Sequence, residues 1–335
     1  MIDYKGFFKE KNILVTGGVG SIGREIVKSL LNFAPKVIRV LDINETGLFE
    51  LEEELDSKNI RPFIGDIRDK DRLKKAIEGV DIVFHAAALK HVPLCEYNPF
   101  EGAKTNVNGT QNLLDVSLNE EVEKFITIST DKVVNPVNVM GATKLLAERL
   151  TTSANLYKGN RKSAFSVVRF GNVLNSRGSI LPIIKRQIEK GGPVTLTDSK
   201  MSRFVMSIEE ATKLVLKAAI EAEGGEIFIL KMPALKIKDL IEVVIEELSA
   251  KYGYSPDEIS IENIGIRPGE KLFEELMTEE EAYNAKDLGD MFVIYPEKPY
   301  REKVDGALTF KYVSDEMKFL KKDAIRNLLK DIEYY

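Results

Sequence analysis

The chain has 335 residues, 44% of them hydrophobic and 30% charged, with a formal net charge of −5. This is the balance of a globular protein with core enough for one large domain or two closely joined ones, and it argues against a general grip on nucleic acid. No apolar run approaches the ~20 residues of a membrane span, Met1 to Lys11 has no apolar signal core, and a single cysteine (Cys95) with two histidines (His85, His91) excludes an internal disulfide and speaks against a zinc site. A cytoplasmic protein without a metal is expected.

In chain order, strand and helix alternate. The apolar run Asn12 to Thr16 reads as a buried strand that breaks into glycines at 17, 20 and 23, and an amphipathic helix begins near Ser21. Lys36 to Leu41 is a second strand, Asn44 to Leu55 a helix, Arg61 to Ile64 a third strand and Lys70 to Ile77 a short helix. Asp81 to His85 is a fourth strand followed by Ala86, Ala87 and Ala88; a helix spans Pro99 to Leu118. Lys124 to Ser129, the helix Val139 to Tyr157 and the strand Ala164 to Phe170 complete the regular half. Such alternation implies right-handed crossovers and a doubly wound parallel α/β sheet, with ligands at the carboxyl ends of the strands.

Beyond Phe170 glycines and prolines cluster at 171, 178, 182 and 191–193. Helices are expected at Ser207 to Glu223 and Ile237 to Lys251, strands at Glu226 to Leu230 and Ile259 to Ile264, and a surface helix at Asp323 to Ile332. The predicted organisation is a Rossmann-type domain over 1–172, which also receives segments near 200–230, and a smaller interleaved lobe over 173–335 that closes over the strand ends.

The glycine turn is the first chemical signal. One glycine allows the bend, one lets backbone approach a phosphate, and one lets helix pack on strand. The helix start at Gly20, Ser21, Ile22 and Gly23 then offers N–H groups and the positive dipole end to a pyrophosphate. A plain strand-to-helix turn would show the same glycines; the strand before and helix after favour the nucleotide reading. Asp42 ends the second strand 19 residues after Gly23, the spacing at which a carboxylate accepts from adenosine ribose hydroxyls. The following Ile43, Asn44 and Glu45 supply no cation for a 2′-phosphate, so NAD is expected over NADP. The blander role for Asp42 is a cap on the next helix. Asp66 and Ile67 are placed for the adenine side, and Ala86, Ala87 and Ala88 are small enough for the nicotinamide half to lie against backbone.

Five segments carry a resemblance: His85 to His91 (HAAALKH), Ser129 to Lys132 (STDK), Asn138 to Lys144 (NVMGATK), Arg169 to Asn172 (RFGN) and Arg267 to Lys271 (RPGEK). Together with the glycine turn they resemble the extended short-chain dehydrogenase/reductases, and within them the polysaccharide-biosynthesis UDP-N-acetylglucosamine 4,6-dehydratases. One position departs from the wider family, which places a tyrosine four residues before the lysine as its acid/base. Here that residue is Met140, and a thioether has no proton to exchange. Either the chain is an inactive NAD-binding relative, or it is of the dehydratase subgroup that carries methionine and relies on Thr130, Asp131 and Lys132.

The resemblance implies an NAD-dependent dehydration of a UDP-sugar: oxidation at C4, loss of water across C5 and C6, and reduction at C6. Thr130 is then the candidate for holding the C4 hydroxyl. Asp131 is the candidate acid at the C6 oxygen, needing a raised pKa, and Lys132 the candidate base at C5, needing a lowered one. Which of the two has which task stays open on sequence. Lys144 is expected at the nicotinamide ribose, with Met140 packed near nicotinamide and sugar. Lys90, Asn172, Arg177, Arg203, Arg267 and Lys271 are candidates for the substrate, the cations as phosphate clamps. His91 and Cys95 read as structural, and Asn106 as a brace for the fifth-strand turn. A homo-oligomer paired through the helices at 99–118 and 139–157 is expected. The rival activities are a nucleotide-sugar 4-epimerase and a non-catalytic NAD-binding regulator.

Overall fold

The computed structural model describes residues 2–296, 305–332 and 334. Its first half alternates as the sequence pattern requires. After the short helix α1 (Tyr4–Phe8) come β1 (Asn12–Thr16), α2 (Ser21–Leu31), β2 (Val37–Asp42), α3 (Glu45–Leu55), β3 (Ile60–Ile64), α4 (Lys70–Ile77) and β4 (Ile82–His85). Then follow α5 (Val92–Tyr97), α6 (Pro99–Ala103), a π-helical stretch (Lys104–Gly109), α7 (Thr110–Asn119), β5 (Lys124–Ile128), α8 (Val139–Tyr157) and β6 (Ala164–Arg169). Each central strand is apolar on both faces and fully covered, as helices on both sides of a parallel sheet demand.

The second half supplies β7 (Asn172–Val173), α9 (Ile180–Glu189), β8 (Val194–Leu196), β9 (Ser202–Met206), α10 (Ile208–Glu221), β10 (Ile227–Leu230), β11 (Ala234–Lys236) and α11 (Ile237–Leu248). It ends with β12 (Ile261–Asn263), β13 (Glu275–Met277), α12 (Glu279–Ala282), β14 (Ala285–Asp287), β15 (Met291–Ile294), β16 (Tyr312–Val313) and α13 (Lys322–Asp331). The main sheet runs β14-β15-β10-β6-β5-β4-β1-β2-β3. It is parallel from β10 to β3, while at one edge β15 runs antiparallel to both of its neighbours, β10 and β14. Strand order reverses between β1 and β4, the switch point at which doubly wound sheets bind ligands.

Of the stretch near 200–230, β10 enters the main sheet and α10 packs in the same core as β1 and α2, while β9 lies between β11 and β7 in a separate three-stranded sheet. Three expectations are corrected here. The strand expected at Ile259 to Ile264 is three residues long and pairs with β8, outside the main sheet. The helix expected over Pro99 to Leu118 widens into the π-helical stretch at Lys104–Gly109, which turns Asn106 inward. Asn106 braces the loop after β4, not the fifth-strand turn: its side chain accepts from the Leu89 N–H (2.8 Å) and donates to the Leu89 carbonyl and Thr143 Oγ1 (3.0 Å each).

The C-terminal lobe has a core of its own. Leu181, Ile184 and Ile188 of α9 meet Leu240, Ile241 and Val244 of α11, with Ile325 and Leu329 of α13 on the far side. Arg326 and Lys322 of α13 pair with Glu242, Glu246 and Glu247 of α11 along the rim.

Candidate active site

The turn after β1 is closed by backbone proximity. Gly17 has φ +65°, and a Cβ there would lie 2.7 Å from the Ala87 Cα, so only glycine fits. A Cβ at Gly23 would lie 2.3 Å from the Gly17 carbonyl oxygen. Gly20 caps α2 without any side-chain bond to the first turn, which leaves the amides of Ser21 and Ile22 as donors for an anion. Asp42 accepts from the Val19 N–H (3.2 Å) and the Asn44 N–H (3.1 Å). It does not cap α3; Asn44 does, accepting from the Gly47 N–H at 3.0 Å. Asp42 thus ties the glycine turn to the end of β2, and each oxygen keeps a lone pair for a ribose hydroxyl. These features fit a dinucleotide.

Around the turn, Asp66 pairs with Arg68 (2.6 Å), whose hydrogen bond holds the carboxyl below its usual range. Ile67 is buried against Gly109. Ala86, Ala87 and Ala88 run half-buried past Gly17, with the Ala86 N–H on the Thr16 carbonyl (3.1 Å). His85 lies buried between Thr16 Oγ1 (2.8 Å) and Thr110 Oγ1 (2.9 Å). Burial and, secondarily, Lys144 push its pKa down to about 3. It is a neutral brace.

At the end of β5 the chain makes a single 3₁₀ turn, Asp131–Val133. The Asp131 N–H donates to the Phe170 carbonyl (3.1 Å), which fixes the turn to the end of β6. Asp131 is fully buried. Its Oδ1 accepts from Thr130 Oγ1 and from Lys132 Nζ, both at 2.8 Å, and its Oδ2 has no partner. The adjacent side chains therefore converge. Lys132 also lies 3.4 Å from Glu274. Burial pulls the Lys132 pKa down, but Asp131 and then Glu274 outweigh it, and the net direction is up. The lowered pKa expected for Lys132 is thus corrected: this lysine rests as an ammonium because two carboxyl groups flank it.

Helix α8 approaches from the other side. A Cβ on Gly141 would fall 2.3 Å from the Lys132 carbonyl oxygen, so glycine is what permits the contact. Met140 is buried. Lys144 donates from Nζ to the Ile128 carbonyl (2.5 Å), and burial, partly opposed by Glu148, pushes its pKa down to about 8.

In front of the turn lies a cavity of about 210 Å³ whose lining includes Lys132, Asn172, Arg203, Arg267, Lys271 and Glu274. The structure thus gathers four of the six expected substrate residues. Asn172 donates to the Phe204 carbonyl (3.1 Å). Arg203 is anchored on the carbonyls of Ser202 (2.7 Å) and Lys271 (2.8 Å), and Lys271 on that of Val134 (2.7 Å). Arg267, by contrast, is 54% exposed and only 3.9 Å from Glu270 at its nearest. It sits on a turn closed by the Glu270 N–H on the Arg267 carbonyl (3.1 Å).

Lys90 and Arg177 stand elsewhere. Arg177 donates from its guanidinium to the Val19 carbonyl (2.6 Å) and from its N–H to Ser21 Oγ (3.0 Å); Lys90 donates to the Arg177 carbonyl (2.8 Å). Their loops meet over the glycine turn, outside the lining of that cavity. Conversely, Glu274, Gly141 and Asn138 were not foreseen as site residues. Asn138 caps α8 at the Gly141 N–H (2.7 Å) and donates to the Gly269 carbonyl (2.8 Å), joining α8 to the Arg267 turn. Its sequence signal is a side-chain amide just before a helical run; Glu274 has no comparable signal.

Residues 13–296 match the family model described as polysaccharide biosynthesis protein. A protein of Methanocaldococcus jannaschii, described as an uncharacterized membrane protein, is 72% identical over 334 residues, 99% of each chain. Among the described residues of the present chain no helix is long and apolar enough to cross a membrane. An inverting UDP-N-acetylglucosamine 4,6-dehydratase of Campylobacter jejuni is 42% identical over 298 residues, 88% of this chain and 86% of its own. The X-ray structure of Pen from Bacillus thuringiensis is 46% identical and superposes with a TM-score of 0.91, covering 97% of this chain and 98% of that one. By its glycine turn, its sheet order and these similarities, the chain belongs to the polysaccharide biosynthesis protein family of Rossmann-type short-chain dehydrogenase/reductases.

Proposed function

We propose that the chain is an NAD-dependent nucleotide-sugar 4,6-dehydratase whose substrate is UDP-N-acetylglucosamine, acting in surface-polysaccharide assembly. One observation carries the reading. Lys132, on the wall of a cation-lined cavity, meets the buried Asp131 behind it at 2.8 Å, while Met140 occupies the place of an acid/base tyrosine. The similarity to the Campylobacter dehydratase supports it.

NAD, when bound, supplies the oxidation at the sugar's C4 and the reduction at C6. The first-turn amides of α2 and Arg177 hold its pyrophosphate, and Asp42 its adenosine ribose, where a 2′-phosphate would meet a carboxylate. Lys144 serves the nicotinamide ribose. Thr130 holds the C4 hydroxyl and passes its proton to Asp131 along their 2.8 Å hydrogen bond. Asp131 then delivers that proton to the departing C6 oxygen, and Lys132 removes the C5 proton. Arg267, the least engaged cation of the cavity, takes the diphosphate, with Arg203, Lys271 and Asn172 behind it. Exposed Leu94, Tyr97 and Phe100, with Leu146, Leu156 and Tyr157 on α8, support a homo-oligomer paired through these helices.

The test is mass spectrometry and proton NMR of UDP-N-acetylglucosamine incubated with the protein and NAD. Loss of one water with a new C6 methyl signal is expected. Unchanged mass with the galacto isomer makes the protein a 4-epimerase, and bound NAD with unaltered sugar makes it a non-catalytic NAD-binding protein.

A further inference from the structure

Glu274 lies just before β13, some 140 residues beyond the Asp131–Lys132 turn in sequence, and reaches that turn through the fold. Its N–H donates to Ser314 Oγ (3.0 Å), which in turn bonds Ser202 Oγ (2.8 Å), so its backbone is held by β9 and by the turn after β16. Its side chain is 3% exposed. Oε1 stands 3.4 Å from Lys132 Nζ and 3.6 Å from Arg203 Nε, whereas Oε2 is buried without a partner. The charged groups facing it are Asp131 and Lys132 on the turn after β5, Arg203 on β9, and Lys271 in the preceding loop. Lys132 therefore stands between two carboxyl groups, each with one unpartnered buried oxygen. Two such orphans flanking one lysine call for an account beyond holding the fold.

We infer that Glu274 is a positioning residue for the dehydration: it takes the proton of the Lys132 ammonium, so that a neutral amine faces C5. The inference rests on the dehydratase reading, and its proton count closes. At rest one proton is shared by the three groups and sits on Lys132. Transfer to Glu274 Oε1 leaves Asp131 ionised, Lys132 neutral and Glu274 protonated. The C4 hydroxyl proton, released as C4 is oxidised, passes through Thr130 to Asp131. The C5–H bond then breaks with its proton going to Lys132 Nζ. Its electron pair forms the C5–C6 double bond as the C6–O bond breaks, and Asp131 protonates the departing oxygen to give water. After reduction at C6 the Lys132 ammonium returns its proton to C5, and Glu274 then passes its own proton back to Lys132, restoring the resting distribution. Burial, followed by the nearby Asp131, holds the Glu274 carboxyl above its usual range, which suits it to accept that proton.

The test compares the full-length wild type with Glu274→Gln and Glu274→Asp, each with NAD and UDP-N-acetylglucosamine. Glu274→Gln keeps the shape but cannot take the proton. We expect kcat at pH 7 to fall about 100-fold, the scale of one acid–base contribution, with KM within about twofold. Turnover should stall after C4 oxidation, so reduced nicotinamide accumulates to the eye of an absorbance measurement. Activity should climb tenfold per pH unit as solution base strips Lys132, where the wild type is flat, and Glu274→Asp should restore part of the neutral-pH rate. Coincident pH profiles of wild type and Glu274→Gln, or a loss equal at every pH without reduced nicotinamide, overturn the assignment of Glu274 alone. A wild type that removes no water from the sugar overturns the dehydratase reading, and this inference with it.

Discussion

Replacing Arg169 by leucine tests whether the buried cation at the end of β6 holds the site's two halves together. Arg169 is 1% exposed. It donates to both oxygens of Glu148 on α8 (2.8 and 3.3 Å), to Glu281 on α12 (3.0 Å) and to the Leu276 carbonyl on β13 (2.8 Å). Glu148 is as buried as the arginine, so its carboxylate would be stranded without solvent; Glu281 is 19% exposed and caps α12, which softens its loss. Removing one partner of a buried pair costs about 3–5 kcal/mol, and we place Arg169→Leu near 4 kcal/mol, a large part of the ~5–15 kcal/mol of an ordinary domain. Equilibrium urea unfolding at pH 7 measures it. Burial pushes the Glu281 carboxyl up, but Arg169 more than offsets this and its pKa is lowered. A lowered native pKa gives stability that is present above the unfolded value of ~4.3 and lost as pH falls through the native one. The gap between wild type and variant should therefore narrow from about pH 4 downward. A loss under about 1 kcal/mol at pH 7, or a gap that does not change with pH, would refute the reasoning.

Three further outcomes follow from the geometry. Asp42→Ala should weaken NAD about 10- to 100-fold by calorimetry, since it removes the ribose acceptor and the tie to the Val19 amide; an unchanged Kd would return Asp42 to a purely local role. Arg177→Ala should weaken NAD about tenfold and leave the KM for the UDP-sugar unchanged, because its guanidinium lies on the Val19 carbonyl of the glycine turn; the opposite pattern would put it back in the substrate cavity. Gly141→Ala should lower kcat at least tenfold with NAD affinity intact, since its Cβ would press to 2.3 Å on the Lys132 carbonyl and displace the turn; a wild-type kcat would show that the turn tolerates the shift.

What the sequence made legible is what local pattern encodes. Of the seven parallel strands all but β3 are apolar runs bounded by turn residues, and their alternation with helices leaves few topologies. Gly17, Gly23 and Asp42 were readable because the turn's own geometry demands them. Apart from the π-helical stretch at Lys104–Gly109, the misses depend on contacts distant along the chain. Met291–Ile294 returns to the main sheet as an antiparallel strand, and a four-residue apolar run does not announce which sheet it joins. That Arg177 reaches the Val19 carbonyl of the glycine turn was likewise not legible, because the cation was visible and its loop's direction was not. A lowered pKa was expected for Lys132 because the base role needs one; the second carboxyl group that opposes it comes from Glu274, across the lobe.

The arrangement also accounts for the methionine in physical terms. In a tyrosine-bearing site, proton exchange would sit on helix α8, with the neighbouring lysine lowering the phenol's pKa. Here Lys144 gives a hydrogen bond to the Ile128 carbonyl, and Met140 contributes only buried apolar surface. In the proposed dehydration the acid and the base are instead on the turn after β5, and α8 is drawn against that turn by a glycine that offers no side chain to the Lys132 carbonyl. An acid and a base on one short turn must point the same way, which the 3₁₀ geometry and the Asp131 amide on the Phe170 carbonyl enforce. They must also exchange protons without solvent, because Asp131 is fully buried. Thr130 on one side and Glu274 on the other are within reach of that pair, so on the proposed mechanism moving the chemistry off the helix requires both of them, and a tyrosine restored at 140 would add a phenol without replacing either.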